Sequence, residues 1–114
     1  MQPSRRAQKL GHQIQHEISL MLTRDLKDRR IGFVTLTGVE MSKDLRYAKV
    51  FVSTMGSSEE REQSLEALNH AAGWIRHELG QRIRVKFLPA IIFITDTSQE
   101  YGERIDQLLD KIGG

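Results

Sequence analysis

Apolar positions along the chain change period several times, and each period predicts an element. Leu10, Ile14, Ile18, Met21, Leu22 and Leu26 recur at steps of three and four and predict one long first helix with an apolar stripe. From Gly32 to Met41 the period is two. Val34 and Leu36 alternate with Thr35 and Thr37, the phase slips at Gly38, and Val39 and Met41 continue on the other parity. A strand with a bulge at Gly38 accounts for the slip. Ser42-Lys43-Asp44 is polar and turn-prone. A second strand follows, with Ala48, Val50 and Val52 on one face and Tyr47, Lys49 and Phe51 on the other. The short connection predicts an antiparallel hairpin.

Ser57 with Glu60 three residues later predicts a capping box. Leu65, Leu68, Ala72, Ile75 and Leu79 then stripe a second helix. The stripe runs through Gly73, a residue that costs about 1 kcal/mol relative to alanine inside a helix, so a break near Gly73 is expected. Gly80 is the expected C-cap. Ile83, Val85 and Phe87 alternate with Arg82, Arg84 and Lys86, which predicts extended chain with the cations outward and the apolar row toward the core. After Pro89, Ala90 to Thr95 reads as a buried strand. Thr97 with Glu100 forms a second capping box, and Tyr101, Ile105, Leu108, Leu109 and Ile112 stripe a last helix. Three strands with one apolar face need helices on that face, which gives a two-layer α+β domain. With 114 residues, the whole chain, 1–114, is expected to form a single domain.

Apolar residues make up 39% and charged residues 28%, a balance that buries a core and excludes a disordered chain. There is no cysteine, which removes disulfides and thiol chemistry. The longest strongly apolar run, Ala90 to Ile94, is too short to span a bilayer, and no apolar stretch follows the basic N-terminus. A cytoplasmic protein without a membrane partner is the expectation. The net charge of +2 hides a segregation. Residues 1–30 carry seven Lys/Arg against three Asp/Glu, and residues 72–89 carry four against one. Residues 58–71 and 90–114 each carry a net of −3. Such alternation produces basic and acidic faces on a nearly neutral molecule. Arg5, Arg6 and Lys9 also sit at a helix start, where the dipole disfavours cations and an anionic partner would offset the cost.

Enzyme signatures are missing. There is no GxxxxGK[ST], GxGxxG or GxSxG segment. His12 and His16 share a helix face, but Glu17 is the only carboxylate beside them, too few ligands for zinc. Glu59, Glu60 and Glu62 stand at a helix start, where acids complement the dipole. No metal, no cofactor and no catalytic residue is expected. Ala71-Ala72-Gly73 admits two readings. Small residues can allow tight packing of the helix on the sheet, or they can form a kinked corner whose free N–H groups receive a phosphate. Trp74 likewise reads either as core or as a stacking ring.

These residues resemble the bacterial ribosome-binding factor A family over nearly the whole chain. The carriers are Arg5-Arg6, Glu17-Ile18, Leu26-Lys27-Asp28, Ile31-Gly32-Phe33-Val34-Thr35, Val39-Glu40-Met41-Ser42, Asp44-Leu45-Arg46-Tyr47-Ala48-Lys49-Val50, Ala71-Ala72-Gly73-Trp74-Ile75-Arg76, Glu100-Tyr101-Gly102 and Arg104-Ile105. The resemblance implies a KH-like α+β domain of the second topological type, a three-stranded mixed sheet packed against helices. In such a domain an Ala-x-Gly helix kink at Ala71, Ala72 and Gly73 replaces the GxxG loop. Two departures stand out: Arg29 occupies a stretch where the family commonly has proline, and the chain stops soon after the last predicted helix.

The implied function is a non-catalytic assembly factor. It would bind immature small ribosomal subunits and their rRNA, promote late rRNA processing and maturation, and be associated with cold adaptation. It is expected to be a monomer when free. Arg5, Arg6, Lys9, Lys43, Arg46, Arg76, Arg82, Arg84 and Lys86 are the candidate phosphate contacts. The alternative is a protein–protein adaptor that uses the alternating acidic and basic faces.

Overall fold

The computed structural model describes residues 4–25 and 34–96. Helix α1 spans Arg5–Leu20, strands β1 and β2 span Val34–Met41 and Tyr47–Thr54, helix α2 spans Ser58–Arg82, and strand β3 spans Ala90–Thr95. The predicted residues Gly32 and Phe33 of the first strand, Arg29, the Thr97–Glu100 box and the C-terminal stripe lie outside the described residues.

The hairpin forms as its alternation requires. β1 pairs antiparallel with β2, Val34 opposite Thr54 and Met41 opposite Ala48, with a register shift between Leu36 and Gly38. The bulge returns Val39 and Met41 to the face that Val34 and Leu36 occupy, so all four pack against the core. β3 pairs parallel with β2 and completes a sheet of order β1-β2-β3. Both helices lie on one face of it. Leu10, Ile14, Ile18 and Met21 from the N-terminal helical segment meet Ala48, Val50 and Val52 of β2, Ala67, Leu68, Ile75 and Leu79 of α2, and Ile91 and Phe93 of β3. The opposite face keeps Tyr47 and Ile92 exposed and Phe51 half-buried.

α1 is capped by Ser4, whose Oγ accepts the Ala7 N–H at 3.1 Å. The predicted single helix through Leu26 gives way after Leu20 to a π-helical turn, Met21–Asp25. There the Thr23 hydroxyl donates to the Ser19 and Leu20 carbonyls at 3.0 and 3.2 Å and competes for the acceptors of the helix. α2 begins with the predicted box: Ser57 Oγ accepts the Glu60 N–H at 3.2 Å, and Glu60 Oε1 accepts the Ser57 N–H at 3.3 Å. Asn69 of α2 ties the outer edge of β3. Its Oδ1 accepts the Phe93 N–H at 3.0 Å and its Nδ2 donates to the Phe93 carbonyl at 3.3 Å. One amide therefore imitates a neighbouring strand and blunts an edge that is otherwise open among the described residues.

The expected break in the second helix is corrected. α2 is one helix of 25 residues that runs through Ala71, Ala72 and Gly73. The energetic reason is simple. One glycine costs about 1 kcal/mol, while Leu68 on one side and Ile75 and Leu79 on the other are fully buried, each contributing roughly 1.5–3 kcal/mol. Within a continuous helix the N–H groups are already bonded. Close approach is not the purpose of this glycine, since a Cβ at Gly73 would meet nothing within 4 Å among the described residues. Gly80 is also not the C-cap. The helix continues to Arg82 and ends at Ile83, whose N–H donates to the Leu79 carbonyl at 2.8 Å. Gly80 instead makes room for Leu88, because a Cβ there would lie 2.8 Å from Leu88 Cδ1.

Gly73→Ala is therefore expected to stabilise the protein by about 0.5–1 kcal/mol, measured as a rise in the denaturation midpoint at unchanged m-value. A destabilised variant would show that Gly73 is required in a conformation other than the regular helix.

Candidate nucleic-acid interface

The parallel pairing of β3 with β2 decides where the basic segments meet. The chain leaves β2 at one end of the sheet and must enter β3 at the other, where Ala90 lies opposite Tyr47. α2 covers that return: its 25 residues span roughly 37 Å, against roughly 26 Å for the eight residues of β2. The end of α2, the connection into β3 and the β1–β2 turn are thus brought together, and the start of α1 joins them. Between them lies a groove of about 1170 Å³, lined from four stretches of chain. Arg6 and Lys9 come from α1, Arg46 from the turn, Arg76 from α2, and Arg84 and Lys86 from the connection; among the described residues Asp44 is the single acid in the lining.

Each cation is held differently. The turn carrying Arg46 is fixed by a local network in which Ser42 Oγ donates to Asp44 at 2.7 Å, and Asp44 also accepts the Arg46 N–H at 3.1 Å. Leu45 adopts a positive φ of 62°, which this network stabilises at a residue type that rarely takes it. The Ser42 hydroxyl, then the Arg46 amide, hold the Asp44 carboxyl below its ordinary value. Arg46 Nε lies 3.8 Å from Asp44 Oδ2, with both side chains well exposed. Arg76 acts on the connection itself: its Nε donates to the Pro89 carbonyl at 3.2 Å and its Nη2 to the Leu88 carbonyl at 3.0 Å. Together with Leu88 against Gly80, this clamp anchors the segment bearing Arg84 and Lys86.

Of the nine candidate cations, six line the groove. Arg5 and Lys43 are exposed but lie outside its lining. Arg82 lies elsewhere. It ends α2 rather than joining an extended row, and its guanidinium lies 3.7 Å from both Glu17 of α1 and Glu78. It belongs to a second, smaller depression with His12 and His16. Among the described residues no group of three or more His, Cys, Asp or Glu could hold a metal ion. The predicted alternation of Ile83, Val85 and Phe87 also fails at its last member. Ile83 is buried and Val85 half-buried, but the chain bends at Lys86 and Phe87, and Phe87 is 77% exposed in the groove. Trp74 is neither core nor groove: it is 40% exposed on α2, away from the groove lining. The groove's aromatic residues are Tyr47 and Phe87, which the charge pattern alone did not single out. The signal was present in two adjacent pairs, Arg46-Tyr47 and Lys86-Phe87, each a cation followed by an aromatic ring.

Two outcomes follow from this local bonding. Arg76→Gln should lower stability by about 1 kcal/mol and quicken amide exchange across residues 83–88; unchanged exchange would mean that the connection does not depend on the clamp. Asp44 should titrate below the usual carboxylate value of ~3.9 and return toward it in Ser42→Ala, read by NMR. Because the folded-state pKa is depressed, its stabilising contribution is present above the unfolded value and is lost as pH falls through the folded one.

Comparison with known proteins agrees with this architecture. Residues 6–109 match the family model described as ribosome-binding factor A. Ribosome-binding factor A of Halothermothrix orenii is 48% identical over 107 residues, covering 94% of this chain and 88% of that one. The crystal structure of ribosome-binding factor A from Thermus thermophilus superposes with a TM-score of 0.71 at 26% identity, over 78% of this chain and 93% of that one. A homology model of the Thermus thermophilus factor, fitted into an electron cryo-microscopy map of a 30S complex, gives a TM-score of 0.66 at 25% identity, over 80% and 96%. The KH-like α+β architecture and the match along the sequence coincide, and the chain belongs to the ribosome-binding factor A family.

Proposed function

We propose that this chain binds the small ribosomal subunit and that the groove between α1, the β1–β2 turn and the α2–β3 connection contacts rRNA phosphates. The observation that carries the reading is the convergence, among the described residues, of six cations from four chain segments on one surface that holds a single acid. An arrangement of this kind neutralises a phosphate backbone without reading sequence. The relative fitted into a map of a 30S complex supports the choice of partner. The protein acts as one domain over residues 1–114, as a monomer and by occupancy. Preferential binding to one conformation of immature rRNA by about 1.4 kcal/mol changes that state's share tenfold. Late processing and maturation of the subunit in the cytoplasm, without catalysis and with a role in cold adaptation, complete the proposal. Among the described residues no helix is long and apolar enough to cross a membrane.

The test is subunit or rRNA binding at several salt concentrations. Each lost phosphate contact reduces the magnitude of the slope of log affinity against log salt by about 0.7–0.9. Arg84→Gln with Lys86→Gln should weaken binding and flatten the slope while leaving the melting temperature nearly unchanged. Arg82→Gln should do the reverse, leaving the slope intact and lowering stability, because its charge bridges Glu17 and Glu78. An unchanged slope in the Arg84/Lys86 variant would remove the groove from the RNA surface, and salt-independent binding of the wild type would favour a protein adaptor.

A further inference from the structure

Phe87 is the most exposed large apolar side chain among the described residues, at 77%, and it is not on a loose segment. Ile83, four residues before it, is buried, and Val85 is half-buried against the core. On the other side Leu88 packs on Gly80, Pro89 is fully buried, and Arg76 bonds the carbonyls of both. Between these anchors the chain bends at Lys86 and Phe87 and presents the ring in the groove. Lys86 Nζ lies 5.7 Å from the ring centroid, and Arg84 and Arg46 line the same groove. Tyr47, 50% exposed, is a second ring in that lining.

An exposed ring on an anchored segment among cations suits a ligand that alternates anionic groups with flat apolar ones. We propose that Phe87 is a stacking platform for an unpaired base, and that the groove therefore selects single-stranded over duplex RNA. The inference rests on the reading of the groove as an RNA surface and adds the class of RNA. In an A-form duplex the bases are already stacked on one another and their faces are closed to a side chain, whereas an unpaired base can be splayed onto an aromatic ring. Cations beside the ring hold the flanking phosphates, and Lys86, adjacent in sequence, supplies one directly. Stacking contributes without regard to base identity, since every base has a π-face.

The experiment compares a short RNA without self-complementarity, alone and annealed to its complement, against the full chain and its variants at several salt concentrations. Phe87→Leu, which keeps an apolar side chain and all charges, should weaken single-strand binding by about 5- to 150-fold. It should leave duplex binding and the salt slope unaltered. Phe87→Trp retains a flat ring and should restore single-strand binding. Equal loss on both RNAs, or failure of Phe87→Trp to restore binding, would overturn the platform. If Phe87→Leu has no effect while Arg84→Gln with Lys86→Gln weakens binding, the platform falls and the groove stands. If neither variant weakens binding, both readings fall.

Discussion

Ala48, Val50 and Val52 of β2 all point into the space between the sheet and the two helices, and each is fully buried. A slip of one residue in this strand would drive Tyr47, Lys49 and Phe51 inward and expel three core side chains, so its register is strongly held. β2 is also the central strand, bonded to β1 on one side and β3 on the other. Because the second pairing is parallel, the chain has to return along the length of the sheet before β3 can begin. The site is a consequence of that return. The groove lies where the crossover ends, beside the turn that starts β2, and its cations are side chains of the segments that packing has already brought there.

Basic residues that look alike in the sequence are divided by the structure into two kinds of work. Arg76 spends donors on the Leu88 and Pro89 carbonyls, and Arg82 joins α1 to α2 through Glu17 and Glu78. Arg84 and Lys86 line the groove. A guanidinium with five donors can brace a loop and still face a groove, as Arg76 does. The same economy appears at Asn69, one amide on α2 that satisfies both edge groups of Phe93. Glycines divide similarly: Gly80 admits Leu88, whereas Gly73 admits nothing within contact distance.

Much of the fold was legible in the sequence because it follows from local periodicity. The bulge at Gly38, the hairpin, the Ser57–Glu60 capping box and the β3 boundaries Ala90–Thr95 each rest on residues close in the chain, where side-chain alternation and capping chemistry act directly. The family resemblance was legible for a related reason: the order and spacing of its residues survive in the primary structure. What could not be read locally was the fate of marginal signals. Gly73 weakens a helix by an amount that the burial of Leu68, Ile75 and Leu79 exceeds, so α2 continues. Alternation across residues 82–87 indicated extended chain facing the core, but Leu88, Pro89 and Arg76 fix the exit of that segment and turn Phe87 outward. The sequence by itself determined the hairpin, the capped start of α2, β3, the apolar stripes of α1 and α2, and how much positive charge is available. Only the tertiary structure decided which cations share a surface and which are consumed as braces. That choice depends on parallel pairing and on contacts between residues far apart in the chain, which no local pattern records.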